Sequence, residues 1–215
     1  MKVTIIPQYR LKPGGLEAAR KLFAEGKDLI LKHGASNVRI RRWVIGGDIA
    51  GIYQASIDFD SMEAFGDYWS STAGDPDFGD FLSRLRASDS PLEPIGTLQA
   101  SHIAHYGAEE TGDVALVRLW KVEPGRLEEF LGLVQEVIAA SNEPGMSVLV
   151  QRITVGGNLS GQIVTIGFVE SMSKLGAYMD RLENDAELQR LQAQVFGPGG
   201  PAQLEAMAIS TGLNV

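Results

Sequence analysis

The sequence predicts an α+β protein built from two tandem copies of a βαββαβ unit. Two observations carry this: a repeat that lays one half of the chain on the other, and strand-type and helix-type hydrophobic spacings that follow the same order in each half. A shift of 110 residues brings Gly46, Gly47 and Gly51 of "GGDIAG" onto Gly156, Gly157 and Gly161 of "GGNLSG", and "DSMEAFGDY" (Asp60–Tyr68) onto "ESMSKLGAY" (Glu170–Tyr178). A shift of 111, one insertion away, brings "YRLKPGGLE" (Tyr9–Glu17) onto "WKVEPGRLE" (Trp120–Glu128) and Val3 onto Val114. A period of roughly 105 residues is the size of a folded domain and far longer than a solenoid repeat. The expected domains are residues 1–107 and 113–215, with "AEETGD" (Ala108–Asp113) as the linker.

Each element of the first copy has its own signal. "VTIIPQYRL" alternates as a strand and is ended by Pro13-Gly14. "GLEAARKLFAEGKDLILKHG" carries apolar residues at helical spacing and stops at Gly34, with His33 placed to interact with the last carbonyls of the helix. "NVRIRRWVI" and "GIYQASIDF" form a hairpin whose tip is Gly47-Asp48, because glycine supplies the positive φ angles that tight primed turns demand. Asp60 is placed to cap a second helix that begins in "SMEAFGDYW". A polar stretch from Thr72 to Phe78, a further helical piece and the strand "IGTLQASHI" close the unit. The order βαββαβ is the ferredoxin-like split βαβ arrangement.

Composition removes whole classes of function. At 215 residues and 44% hydrophobic, the chain can bury a sizeable core. No apolar run approaches the roughly 20 residues that span a bilayer, and "MKVTIIPQYR" turns polar too early for a signal peptide, so the expectation is a cytoplasmic protein without a membrane partner. The absence of cysteine excludes disulfides, thiolate metal sites and thiol nucleophiles. A formal net charge of -8 opposes a phosphate backbone, so nucleic acid is not an expected partner.

The glycine hairpin, the strand ending in "KPGG" or "EPGR", and "DSMEAF" followed by "DPDF" or "DAEL" resemble the dimeric α+β barrel superfamily. That superfamily includes antibiotic-biosynthesis-type monooxygenases, NIPSNAP-like, EthD-like and stress-responsive barrel proteins. The resemblance implies two ferredoxin-like units packed sheet to sheet as an intrachain α+β barrel, like a dimer fused into one polypeptide, with further homodimerisation open. It also draws attention to Tyr68 and Trp69, since heme-degrading and cofactor-free members use aromatic residues on the second helix. The second copy has Met179 at the Trp69 position, and the Asn–Trp–His set of such sites has no match.

Parity supplies the remaining candidates. With the tip at Gly47-Asp48, facing residues sum to 95, so Arg39, Arg41, Trp43, Ile52, Gln54 and Ser56 share one face and Val38, Ile40, Ala55 and Ile57 share the other. The second face is the one helices cover, and the first becomes a polar wall suited to a small hydrophobic or anionic ligand. The alternative is that Arg39 and Arg41 pair with acids such as Asp58. The same construction in the second copy puts Gln151 among Leu149, Ile153, Val164 and Ile166. Arg42 and Arg152 fall on the helix side and are expected to be structural.

No metal and no cofactor is expected: His102 and His105 point to opposite faces of a strand, and no axial ligand for heme is placed on the wall. No catalytic residue is assigned. Two functions stay open: a cofactor-independent monooxygenase or isomerase on a small hydrophobic or aromatic anion, with Arg39 or Arg41 stabilising the anion, and a non-catalytic ligand-binding or interaction protein.

Overall fold

A computed structural model describes residues 1–107, 112–141 and 146–215. Residues 108–111 of the expected linker lie outside the described residues. The first copy runs β1 (Val3–Leu11), α1 (Leu16–Lys32), β2 (Asn37–Ile45), β3 (Ile52–Phe59), α2 (Met62–Thr72), α3 (Pro76–Arg86) and β4 (Leu92–Tyr106). The second runs β5 (Val114–Val122), α4 (Leu127–Ser141), β6 (Ser147–Val155), β7 (Ile163–Val169), α5 (Met172–Asn184), α6 (Ala186–Phe196) and β8 (Ala202–Gly212).

The chain forms two compact units. The first comprises Met1–His102, Thr154–Asn158 and Gly212–Val215, and the second Ile103–Ile153 and Leu159–Thr211. In the first, the antiparallel strand order is β4-β1-β3-β2, and in the second β8-β5-β7-β6. The centre of each order is the strand pair that α+β units of this kind place under their helices.

Local chemistry explains each boundary. Ala19, Phe23, Gly26 and Ile30 are the buried residues of α1, at the three- and four-residue spacing of a helix face. Gly34, at φ 100, lets the chain leave that helix in the left-handed region. Ser61, not Asp60, caps α2: its hydroxyl accepts from the Ala64 amide at 3.0 Å, one residue closer to the helix than expected. Asp75 caps α3 with Pro76 in its first turn, so the polar stretch from Thr72 to Phe78 holds the end of one helix and the start of the next. Ser171 and Asp185 cap α5 and α6 in the same way.

The hairpin register is the expected one, with Arg39 opposite Ser56 and Arg41 opposite Gln54, but its tip is not a two-residue turn. Gly47–Ile49 form a single 3₁₀ turn, and the Gly51 amide reaches back to the Trp43 carbonyl at 2.8 Å. Gly47 and Gly51 take φ of 59 and 84, and Gly157 and Gly161 take 61 and 89, so the repeated glycines serve a longer connection of identical geometry in both copies. Helix-to-sheet packing forms a core in each unit, with Phe59 in the first and Phe130 in the second both fully buried. Truncating either to alanine should cost about 3–5 kcal/mol.

Candidate functional site

The polar face predicted on β2 and β3 is real and closed. Arg39 donates from Nη2 to Asp58 Oδ2 at 2.7 Å, and Thr4 donates from Oγ1 to Asp58 Oδ1 at 2.7 Å. Nε2 of His102 lies 2.8 Å from the Thr4 hydroxyl, and Asn37 reaches the same carboxylate at 3.4 Å. Burial lowers the Arg39 pKa, and Asp58 opposes that shift. Arg39 is thereby committed to a buried ion pair.

Arg41, Gln54 and Ser56 are buried on the same face, where Trp43 donates from Nε1 to Gln54 Oε1 at 3.1 Å. Gln151, opposite Val164 in the second unit, is 2% exposed. Arg42 sits with its guanidinium 5.8 Å from the Tyr53 ring centre, on the helix-side parity expected of it. His33 does not cap α1 through its ring as expected: its nitrogens contact Ser71 Oγ at 3.0 Å and Asp75 Oδ2 at 2.8 Å, because those groups lie beside the helix end. No cluster of three or more metal-ligating side chains occurs among the described residues.

Each unit also holds a cavity between its helices and its sheet. The first unit holds a cavity of about 220 Å³ whose floor is Ile5, Pro7, Tyr9, Val38, Ile40, Ala55 and Ile57. Helices α1, α2 and α3 contribute Lys27, Tyr68, Trp69 and Arg86. Tyr68 is buried and Trp69 is 61% exposed, so the two aromatic candidates divide into a wall and a rim. Neither the Tyr9 nor the Tyr68 phenol hydrogen-bonds a protein group among the described residues. Burial pushes both phenols up to about 12, with Arg86 a smaller opposing influence on Tyr9, so both are neutral donors at physiological pH.

The second unit holds a cavity of about 200 Å³ in the same place, under α4, α5 and α6. Here Arg118 and Thr165 stand on the sheet, and Trp120 donates from Nε1 to Thr165 Oγ1 at 2.9 Å. Tyr9, Arg86 and Arg118 were not among the sequence candidates. Their signals were present: Arg86 follows Phe78 and Leu82 at four-residue steps on α3, and Arg118 shares one face of β5 with Leu116 and Trp120 at two-residue steps.

No family model and no curated protein matches this chain. Solved structures do. A candidate monooxygenase from Lactobacillus acidophilus is 8% identical, with a TM-score of 0.66 over 99% of this chain and 93% of its own. An anthrone oxidase-like protein is 15% identical, with a TM-score of 0.56 over 98% and 93%. A chlorite dismutase variant from Candidatus Nitrospira defluvii is 11% identical, with a TM-score of 0.56 over 100% and 91%. At such identities the likeness establishes the fold alone: the chain has the dimeric α+β barrel fold with two ferredoxin-like units in one polypeptide.

Proposed function

We propose that the first unit's cavity is the substrate site of a cofactor-independent monooxygenase acting on a small, acidic, aromatic or hydrophobic compound. The observation that carries this is the pairing of an apolar cavity with two neutral, unpartnered phenols and a cationic rim at Lys27 and Arg86. An anionic oxygen entering there meets two hydrogen-bond donors and positive charge in a site from which most water is displaced. The polar wall of Arg39 and Arg41, considered first for this role, is the poorer choice because Asp58 already neutralises Arg39.

The cavity lining contains no carboxylate and no imidazole among the described residues, so the substrate must ionise readily by itself. Its carbanion or phenolate passes one electron to dioxygen, and the two radicals combine into a C–O bond. Loss of water from the hydroperoxide then completes R₂CH₂ + O₂ → R₂C=O + H₂O. Tyr9, Tyr68 and Arg86 stabilise the anion, and Trp69 covers the mouth. That same missing base favours the second reading, a site that binds such an anion and leaves it unchanged.

Anthrone in air is the direct assay, followed by oxygen uptake and by ¹⁸O incorporation from ¹⁸O₂. The monooxygenase reading expects labelled ketone, a lower kcat for Tyr68→Phe and a higher KM for Arg86→Met. Binding of anthrone and related acidic phenols without oxygen uptake would overturn it in favour of the binding reading.

A further inference from the structure

We infer that the second unit carries a separate binding site for a small amphiphilic carboxylate, with Arg118 as its anchor. Arg118 lies on β5 between Thr165 and Met207, on the face that Leu116 and Trp120 turn toward the helices. Its guanidinium carbon sits 5.9 Å from the centre of the Tyr178 ring. Among the described residues it has no ion pair and no hydrogen bond. Glu183, the one carboxylate among the described residues of the lining, is exposed and lies beyond ion-pairing distance. The phenol of Tyr178, whose residue is 1% exposed, has no hydrogen-bond partner among the described residues either.

A guanidinium offers five donors in a planar fork that matches a carboxylate, and here all are available at the floor of an apolar cavity. Val134, Ile138, Leu182, Val195 and Phe196 form its walls. A volume of about 200 Å³ equals about seven waters at liquid density and lies below the range of drug-sized sites. The ligand is therefore a short-chain or medium-chain alkanoate, or an arylalkanoate, entering with its carboxylate toward the sheet. This site differs from that of the first unit, where the cations stand on the helices, and the inference does not depend on any activity there.

Octanoate and octanol, titrated into the full-length protein, test the idea. Calorimetry should show octanoate binding more tightly than octanol, and Arg118→Met should weaken octanoate by about tenfold or more while leaving octanol unchanged. Arg118→Lys, which retains the charge, should recover part of the loss and guards against a folding defect. In ¹³C-methyl methionine spectra, octanoate should shift Met146, Met179 and Met207, which line this cavity, and leave Met62 of the first unit in place. Absence of octanoate binding at millimolar concentration, an unchanged affinity in Arg118→Met, or shifts confined to Met62 would each overturn the proposal.

Discussion

Thr4, Arg39 and Asp58 of the first unit correspond in the repeat to Ala115, Leu149 and Phe168 of the second. The first trio is a hydrogen-bonded ion-pair network, and the second is a small apolar cluster, each residue of it buried. One backbone thus accepts two different interiors at equivalent positions. The lesson is about what the network is for: a fold that closes equally well on Ala, Leu and Phe does not require Thr, Arg and Asp for stability.

The cavities differ by the same kind of exchange. Pro7 and Ala55 on the first floor correspond to Arg118 and Thr165 on the second, while Lys27 and Arg86 on the first helices correspond to Ile138 and Phe196. Positive charge has moved from the rim to the floor. Tyr68 and Tyr178 stay equivalent, so the tyrosine is the shared feature and the cation is the variable that sets ligand orientation.

The largest expected effect breaks the first comparison directly. Arg39→Met leaves the Asp58 carboxylate buried beside a neutral neighbour and should cost about 3–5 kcal/mol in chemical denaturation. The combined variant Thr4→Ala, Arg39→Leu, Asp58→Phe copies the second unit's solution and should recover most of that loss. His102, which touches Thr4, keeps access to solvent at 18% side-chain exposure. A triple variant no more stable than Arg39→Met would mean that the two interiors are not interchangeable.

How much of this could be read beforehand depends on which physical signal was in play. Alternation and the repeat period gave the strands, helices and register, because period two and period 3.6 are properties of the backbone that side chains must obey. The 3₁₀ turn escaped, since Gly46–Gly51 permits several connections of the same register. Arg39 was legible as either ligand site or ion pair, and only the approach of Asp58 from the neighbouring strand β3 decides between them. The cavities escaped because they lie between elements: Tyr9, Tyr68 and Arg86 come from β1, α2 and α3, and parity within one hairpin says nothing of helices packed over it. Arg118 was nevertheless visible as a cation on the apolar face of "VALVRLWKV".

A middle-sized effect sharpens the comparison of cavities. A phenol whose folded pKa sits above its unfolded value binds its proton more tightly in the native state, so its stabilising contribution is complete below about pH 10 and is lost as pH rises toward 12. Absorbance titration of the native protein should therefore show two tyrosines ionising near 12, and both should vanish from that range in the double variant Tyr9→Phe, Tyr68→Phe. Native titration of all tyrosines near 10 would show that the first cavity admits bulk water, and the donor role assigned to Tyr9 and Tyr68 would fail with it.

The smallest effect concerns two helix caps that look alike. Asp75 and Asp185 each accept from two backbone amides at the start of a helix, but Asp75 also binds Lys32 at 2.9 Å and His33 at 2.8 Å. The Lys32 ammonium above all, aided by His33 and the two amides, holds the Asp75 carboxyl well below the usual aspartate range. A carboxyl depressed in this way contributes stability that is present above its unfolded value of about 3.8 and is lost as pH falls through the lower folded value. Asparagine keeps the cap but removes the charge, so Asp75→Asn isolates the ion pairs from the capping bonds. Its melting temperature should fall slightly at neutral pH and converge with the wild type in acid, while Asp185→Asn, which keeps its two capping bonds, should lower the neutral-pH melting temperature less. Because Lys32 is exposed, the Asp75 effect should also shrink with added salt. A loss in Asp75→Asn that persists in acid would assign the difference between the two caps to packing around His33 and Phe78, whose rings meet edge-on at 5.9 Å, and not to charge.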